Sequence, residues 1–127
     1  MTLPEQYTLR IEQGATLKRW FALQYPDGTI ANLATAGTGY TSGTLKIRPT
    51  YADEPVLILT TDNGGVNLTY QADANGRYWS GYIFCAASAT AELAPWGDGV
   101  FDLEVSDGFD VVRILQGRAW LSHEASY

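Results

Sequence analysis

Cysteine and histidine each occur once in the 127 residues, and cations are scarce: eight Lys and Arg face fourteen Asp and Glu, for a net charge of −6. A lone Cys85 cannot close an internal disulfide, which excludes a disulfide scaffold. In its apolar run it reads as a small buried hydrophobe rather than a reactive thiol. The acidic balance leaves no basic patch of the kind a phosphate backbone requires, so the expectation is that neither nucleic acid nor an anionic membrane surface is a partner. No apolar run approaches the roughly 18 residues of a membrane span. The opening Met1-Thr2-Leu3-Pro4-Glu5-Gln6 lacks the basic and apolar regions of a secretory signal, which points to synthesis and assembly inside the cell.

The same scarcity empties the catalytic inventory. A Ser-His-Asp or Cys-His arrangement would have to use His123, four residues from the end, in a tail that is rarely ordered enough to hold a base. Asp102 and Glu104 lie two apart on one strand and so share a face. A glycosidase could use such a pair across a cleft, but the plainer reading is a solvated or charged edge face; if the pair is not solvated, Arg113 on the returning strand is its nearest partner. Asp62-Asn63-Gly64, Asp73-Ala74-Asn75-Gly76 and Asp107-Gly108-Phe109-Asp110 look like fragments of a calcium loop. None has the ligand spacing such a loop needs, and all read as turns. Gly37-Thr38-Gly39 lacks the lysine and the strand-to-helix context of a phosphate loop. No metal and no cofactor are expected, and the chain reads as a non-enzyme.

What the sequence does have is aromatic residues, four Trp, eight Tyr and four Phe, within a hydrophobic content of 46 %. That content suits one globular domain of 127 residues with its own core. The aromatics admit two readings: an aromatic-rich core, or a surface that meets a partner. Exposed Trp and Tyr near Asp and Asn are also what a sugar site uses, with Tyr40, Tyr51, Trp79 and Trp96 as candidates. Trp96 stands in the Pro95-Trp96-Gly97-Asp98 loop.

Period-two alternation marks strands along the chain. After a flexible arm over 1–6, strands are expected at Tyr7–Ile11, Thr16–Gln24, Thr44–Arg48, Val56–Thr60, Val66–Tyr70 and Arg77–Phe84. Val56–Thr60 is apolar on both faces and so is expected at a sheet centre. Ile30–Gly43, dominated by small polar residues, reads as an exposed loop. Asn75-Gly76 suits a primed hairpin turn. The one helix is expected near 87–93, with Ser88 as its cap and Pro95 and Gly97 beyond it. The longest pattern is last: Phe101, Leu103 and Val105 alternate with Asp102, Glu104 and Ser106. The chain then reverses at Ser106-Asp107-Gly108 and returns through Asp110–Leu121, with 123–127 as a tail. Short strands with a turn every 8–12 residues or so predict an antiparallel sandwich or barrel.

The order of these motifs resembles a known family. Ile11-Glu12-Gln13-Gly14-Ala15-Thr16 comes first, then Leu45-Lys46-Ile47-Arg48. Val56-Leu57-Ile58-Leu59-Thr60-Thr61-Asp62-Asn63-Gly64-Gly65-Val66 and Ser88-Ala89-Thr90-Ala91-Glu92-Leu93 follow. Phe101-Asp102-Leu103-Glu104-Val105 then leads into Arg113-Ile114-Leu115-Gln116-Gly117. From about Tyr7 to Ser122 the pattern is similar to the N-terminal domain of bacteriophage baseplate upper proteins, among the small virion proteins of tailed phages. The resemblance implies an immunoglobulin-like β-sandwich of about 7–9 strands and a structural role in the virion, as a tail or baseplate adaptor. A capsid decoration protein and a carbohydrate-binding module are the alternatives. It also implies other virion proteins as partners, and several copies or a homo-oligomer in the particle. The residues expected to touch a partner are Tyr7, Tyr40, Trp96, Arg113, Arg118 and Trp120.

Overall fold

Where apolar and polar residues alternate, the chain forms strands, and where Gly follows Asp or Asn it turns. The computed structural model describes residues 5–34, 40–50, 53–93 and 99–122. Its strands are β1 (Glu5–Glu12), β2 (Leu17–Phe21), β3 (Ser42–Arg48), β4 (Leu57–Thr60), β5 (Val66–Ala72), β6 (Tyr78–Cys85), β7 (Gly99–Ser106) and β8 (Val111–Ser122). Helix α1 (Ala87–Ala91) lies between β6 and β7. A five-stranded sheet in the order β1-β8-β7-β3-β4 covers a three-stranded sheet in the order β2-β6-β5. That is an immunoglobulin-like sandwich in which the first strand has joined the sheet of the last. Ile11, Phe21, Leu45, Ile47, Val66, Leu103 and Leu121 are buried between the sheets. The Cys pair and strand tryptophan that fill this core in antibody domains are replaced by aliphatic side chains with Phe21 and Phe101. Cys85 is buried there too, and its burial pushes the thiol above its ordinary range, so at neutral pH it stays protonated.

Several expectations change. The pairing of β1 with β8 is parallel, not antiparallel, and β1 begins at Glu5, within the stretch expected to be an arm. β4 is an edge strand rather than a central one, with Val56 and Ile58 both exposed. An apolar run on both faces marks a strand covered on both sides, but in a sandwich even the central β7 alternates, with Asp102 and Glu104 outward, so the run does not fix a strand's place in the sheet. Ile30–Gly43 is not wholly an exposed loop. Ala31 and Leu33 are fully buried, and β3 starts at Ser42. Ser80, also fully buried, bridges this segment to the sheet. Its hydroxyl accepts from the Leu23 amide at 3.0 Å and donates to the Ala31 carbonyl at 2.8 Å.

The helix is shorter than expected, and Ser88 does not cap it. The cap position is Ala86, with no side-chain hydrogen bond. Thr90 anchors the helix instead, donating to the Ala15 carbonyl at 2.7 Å. The 73–77 turn is not primed, because Gly76 has positive φ but Asn75 does not. Asp73 organises it by accepting from the Asn75 and Arg77 amides.

Two glycines are set by close approach of backbones. A Cβ on Gly81, between β2 and β5, would strike the Asn67 carbonyl oxygen. A Cβ on Gly117, which has φ +155°, would strike the carbonyl oxygen of Tyr7 on the facing β1.

Candidate functional site

The outer face of the five-stranded sheet is built by the polar half of each alternating strand. In β3, Leu45 and Ile47 are buried while Lys46 and Arg48 look outward. In β7, Phe101, Leu103 and Val105 point in and Val100, Asp102 and Glu104 point out. The register assembles rows across the sheet. Lys46, Asp102 and Gln116 form one, and Arg48, Val100 and Arg118 form the next. Arg10 faces Trp120 in a third.

β8 would lose this pattern without a bulge. Leu103 pairs with Leu115, but Glu104 pairs with Arg113, so Ile114 is an extra residue. The inserted residue lets Ile114 and Leu115 both be buried and returns Arg113 to the outer face.

At the centre of the face Asp102 is only 3 % exposed. It was expected to be solvated, and it is not. Arg48 lies 3.5 Å from its Oδ2 and Arg113 3.8 Å from the same oxygen. The partnership with Arg113 was expected; that with Arg48 was not, because β3 is distant in sequence and only the sheet order brings it alongside. Asp102 Oδ1 is buried and has no hydrogen-bond partner. Both guanidiniums thus act on one oxygen, and their charge offsets the burial of a carboxylate whose other oxygen is unpaired. Replacing Arg48 by Met leaves it with one partner, the more exposed Arg113. We expect a loss of about 1–3 kcal/mol in urea unfolding at neutral pH, against little change for Lys46→Met.

Around this triad cations outnumber the outward acids Asp102 and Glu104. Arg10, Lys46, Arg48, Arg113 and Arg118 make five of the eight Lys and Arg of a chain whose net charge is −6. Trp120 is 45 % exposed among them, with the Arg10 guanidinium 4.8 Å above its ring. Of the residues expected to meet a partner, Arg113, Arg118 and Trp120 thus share one face.

The others lie elsewhere. Tyr7 is partly buried and packs against the core, with the Arg19 guanidinium 5.8 Å from its ring. Tyr40 is partly buried and lines a separate groove with Trp20 and Tyr82. Its phenol pKa is raised, first by burial and then by the charges of Tyr25, Asp107 and Asp110. Trp79 is committed to its own turn. Its indole donates to Asp73 at 3.1 Å and Arg77 sits 4.6 Å over its ring. The Trp79 bond, with the Arg77 and Asn75 amides, lowers the Asp73 carboxyl. Trp96, Tyr51 and His123 lie outside the described residues.

Among the described residues, no three His, Cys, Asp or Glu side chains are grouped so as to hold a metal ion. No helix among them is long and apolar enough to cross a membrane. No protein-family model matches the sequence, and no curated protein is significantly similar to it.

Proposed function

We propose that this chain is a non-enzymatic structural module of a tailed-bacteriophage virion. It acts as a tail or baseplate adaptor, assembled in the host cytoplasm, and the cationic outer face of its five-stranded sheet seats an acidic surface of a neighbouring virion protein. The observation that carries the docking role is that five of the eight Lys and Arg of an acidic chain stand on one sheet face, with half-exposed Trp120 under Arg10 and two residues from Arg118. Aromatic and Arg side chains in one patch are the usual anchors of a protein interface. The phage setting rests on the resemblance in motif order. A sugar site centred on Trp79 is less well supported, because the indole N–H and one face of that ring are already used.

Mass spectrometry of purified, tail-fractionated particles tests the setting. The chain is expected in the tail fraction; recovery with capsids would favour a decoration protein, and absence from particles would overturn the reading. The docking face is tested separately. Trp120→Ala combined with Arg118→Glu is expected to abolish incorporation while leaving the protein folded, since Trp120 is half-exposed and Arg118 lies on the surface. A parallel loss of stability would return Trp120 to a structural role.

A further inference from the structure

The turn between β7 and β8 holds Phe109 almost wholly in water, at 95 % exposure, with Val111 beside it at 63 %. An isolated exposed apolar residue is ordinary, but this one is held out by a rigid frame. Asp107 Oδ1 accepts from the Phe109 amide at 2.9 Å and from the Asp110 amide at 2.8 Å. The Gly108 amide donates to the Ser106 hydroxyl at 3.1 Å, and Gly108 takes φ +98°. The Asp110 and Phe109 amides hold the Asp107 carboxyl below its ordinary range, so it is ionised at neutral pH. The tip therefore presents one aromatic ring with a carboxylate on either side.

A complementary surface lies on the same molecule. Trp20 and Tyr82 pair across β2 and β6, ring centroids 4.7 Å apart and tilted by 50°. The Lys18 ammonium sits 4.6 Å over Tyr82 and 5.7 Å over Trp20. Tyr40, Thr41 and Asn67 complete the walls of a groove of about 480 Å³, large enough for an aromatic side chain. Its lining is largely polar, Thr61, Thr69 and Gln71 included; within it the Trp20 and Tyr82 rings and the Lys18 ammonium are the counterparts of Phe109 and its flanking acids. The Thr41 amide donates to the Ser106 carbonyl at 2.9 Å, which fixes the groove wall beside the base of the tip. The tip does not fill its own groove, because Phe109 stands free.

We propose that a second copy of this chain is the occupant: two protomers related by a two-fold axis each insert Phe109 into the Trp20–Tyr82 groove of the other, with Asp110 meeting Lys18. A projection and a matching groove side by side on one surface are what an isologous pair requires, since one rotation satisfies both contacts at once. A rigid tip gives up little conformational freedom on docking, which favours binding. The proposal concerns the three-stranded sheet and the hairpin tip, and does not depend on the docking face or the virion setting.

Sedimentation velocity on the purified full chain, across a concentration series at low and moderate salt, is the test. The wild type is expected to show a reversible monomer–dimer equilibrium. Phe109→Ser is expected to weaken it at least about tenfold, since the substitution removes both aromatic anchors of the symmetric pair, with an unchanged far-ultraviolet spectrum because the ring is solvated in the monomer. Lys18→Glu and Asp110→Lys are each expected to weaken dimerisation, and their combination in one chain to restore it, since the charges then meet in reversed order. A wild type that stays monomeric throughout, a Phe109→Ser protein that dimerises as before, or a double variant no better than the singles would each overturn the proposal.

Discussion

Gly117→Ala is expected to expel β1 from the sheet. The new methyl would fall on the Tyr7 carbonyl oxygen, and backbone in a facing strand cannot swing aside as a side chain can. The φ of +155° adds a second obstacle, because L side chains rarely adopt it. Relief requires β1 to move away from β8 along the paired register that joins them. β1 carries Leu9 and Ile11 into the core, at 3 % and 0 % exposure. Exposing both costs about 3–6 kcal/mol at the usual value for a buried aliphatic side chain. That is comparable with the whole stability of a small domain. Urea unfolding is expected to shift by this amount. Amide exchange should show protection lost first on β1 and on the β1-facing side of β8. A variant that unfolds as the wild type does would mean the two strands are not packed as closely as described.

Ser80→Ala is expected to cost about 2–4 kcal/mol although it removes only one oxygen. The hydroxyl is fully buried and answers two backbone groups, the Leu23 amide and the Ala31 carbonyl. Alanine leaves both without a partner in a place water does not reach, and each orphan carries its own desolvation penalty. The segment those bonds retain brings Ala31 and Leu33 into the core, so the damage should extend beyond the two lost bonds. Ser80→Thr, which keeps the hydroxyl, should recover part of the loss. Equal instability of the two variants would point to crowding rather than hydrogen bonding as the cause.

The strands were legible where one face is buried and the other wet. Leu45 and Ile47 against Lys46 and Arg48, and Phe101, Leu103 and Val105 against their polar neighbours, took the faces their alternation implies. The turn at Ser106-Asp107-Gly108 followed from residue type. Periodicity speaks only for a strand's own faces, and it is silent on which strand lies beside which. For that reason β4 was expected at a centre and stands at an edge, and Arg48 was not seen as the partner of Asp102. The bulge at Ile114 was hidden because two adjacent apolar residues look like a break in pattern rather than an inserted residue. Ala31 and Leu33 were hidden because small and polar neighbours masked them, and their burial depends on Ser80 nearly fifty residues away. Arg113, Arg118 and Trp120 were picked out from the sequence one by one; that they share the outer face of the five-stranded sheet, and that Arg10 joins them there through parallel pairing, was not legible. Nothing in spacing distinguishes Phe109 at the tip of a turn from a phenylalanine that folds inward.

The parallel ladder between β1 and β8 also decides how the domain bears force. Glu5 lies opposite Leu115 and Glu12 opposite Ser122, so the two strands run in the same direction. A pull applied ahead of Glu5 and beyond Ser122 is therefore directed along the ladder from opposite ends. Its rungs are loaded together, in shear, and must fail nearly at once. An antiparallel hairpin pulled from its two ends would instead open one rung at a time, like a zip. The ladder thus resists a force directed along its own strands, between the start of β1 and the end of β8, better than one that peels β1 sideways from the sheet.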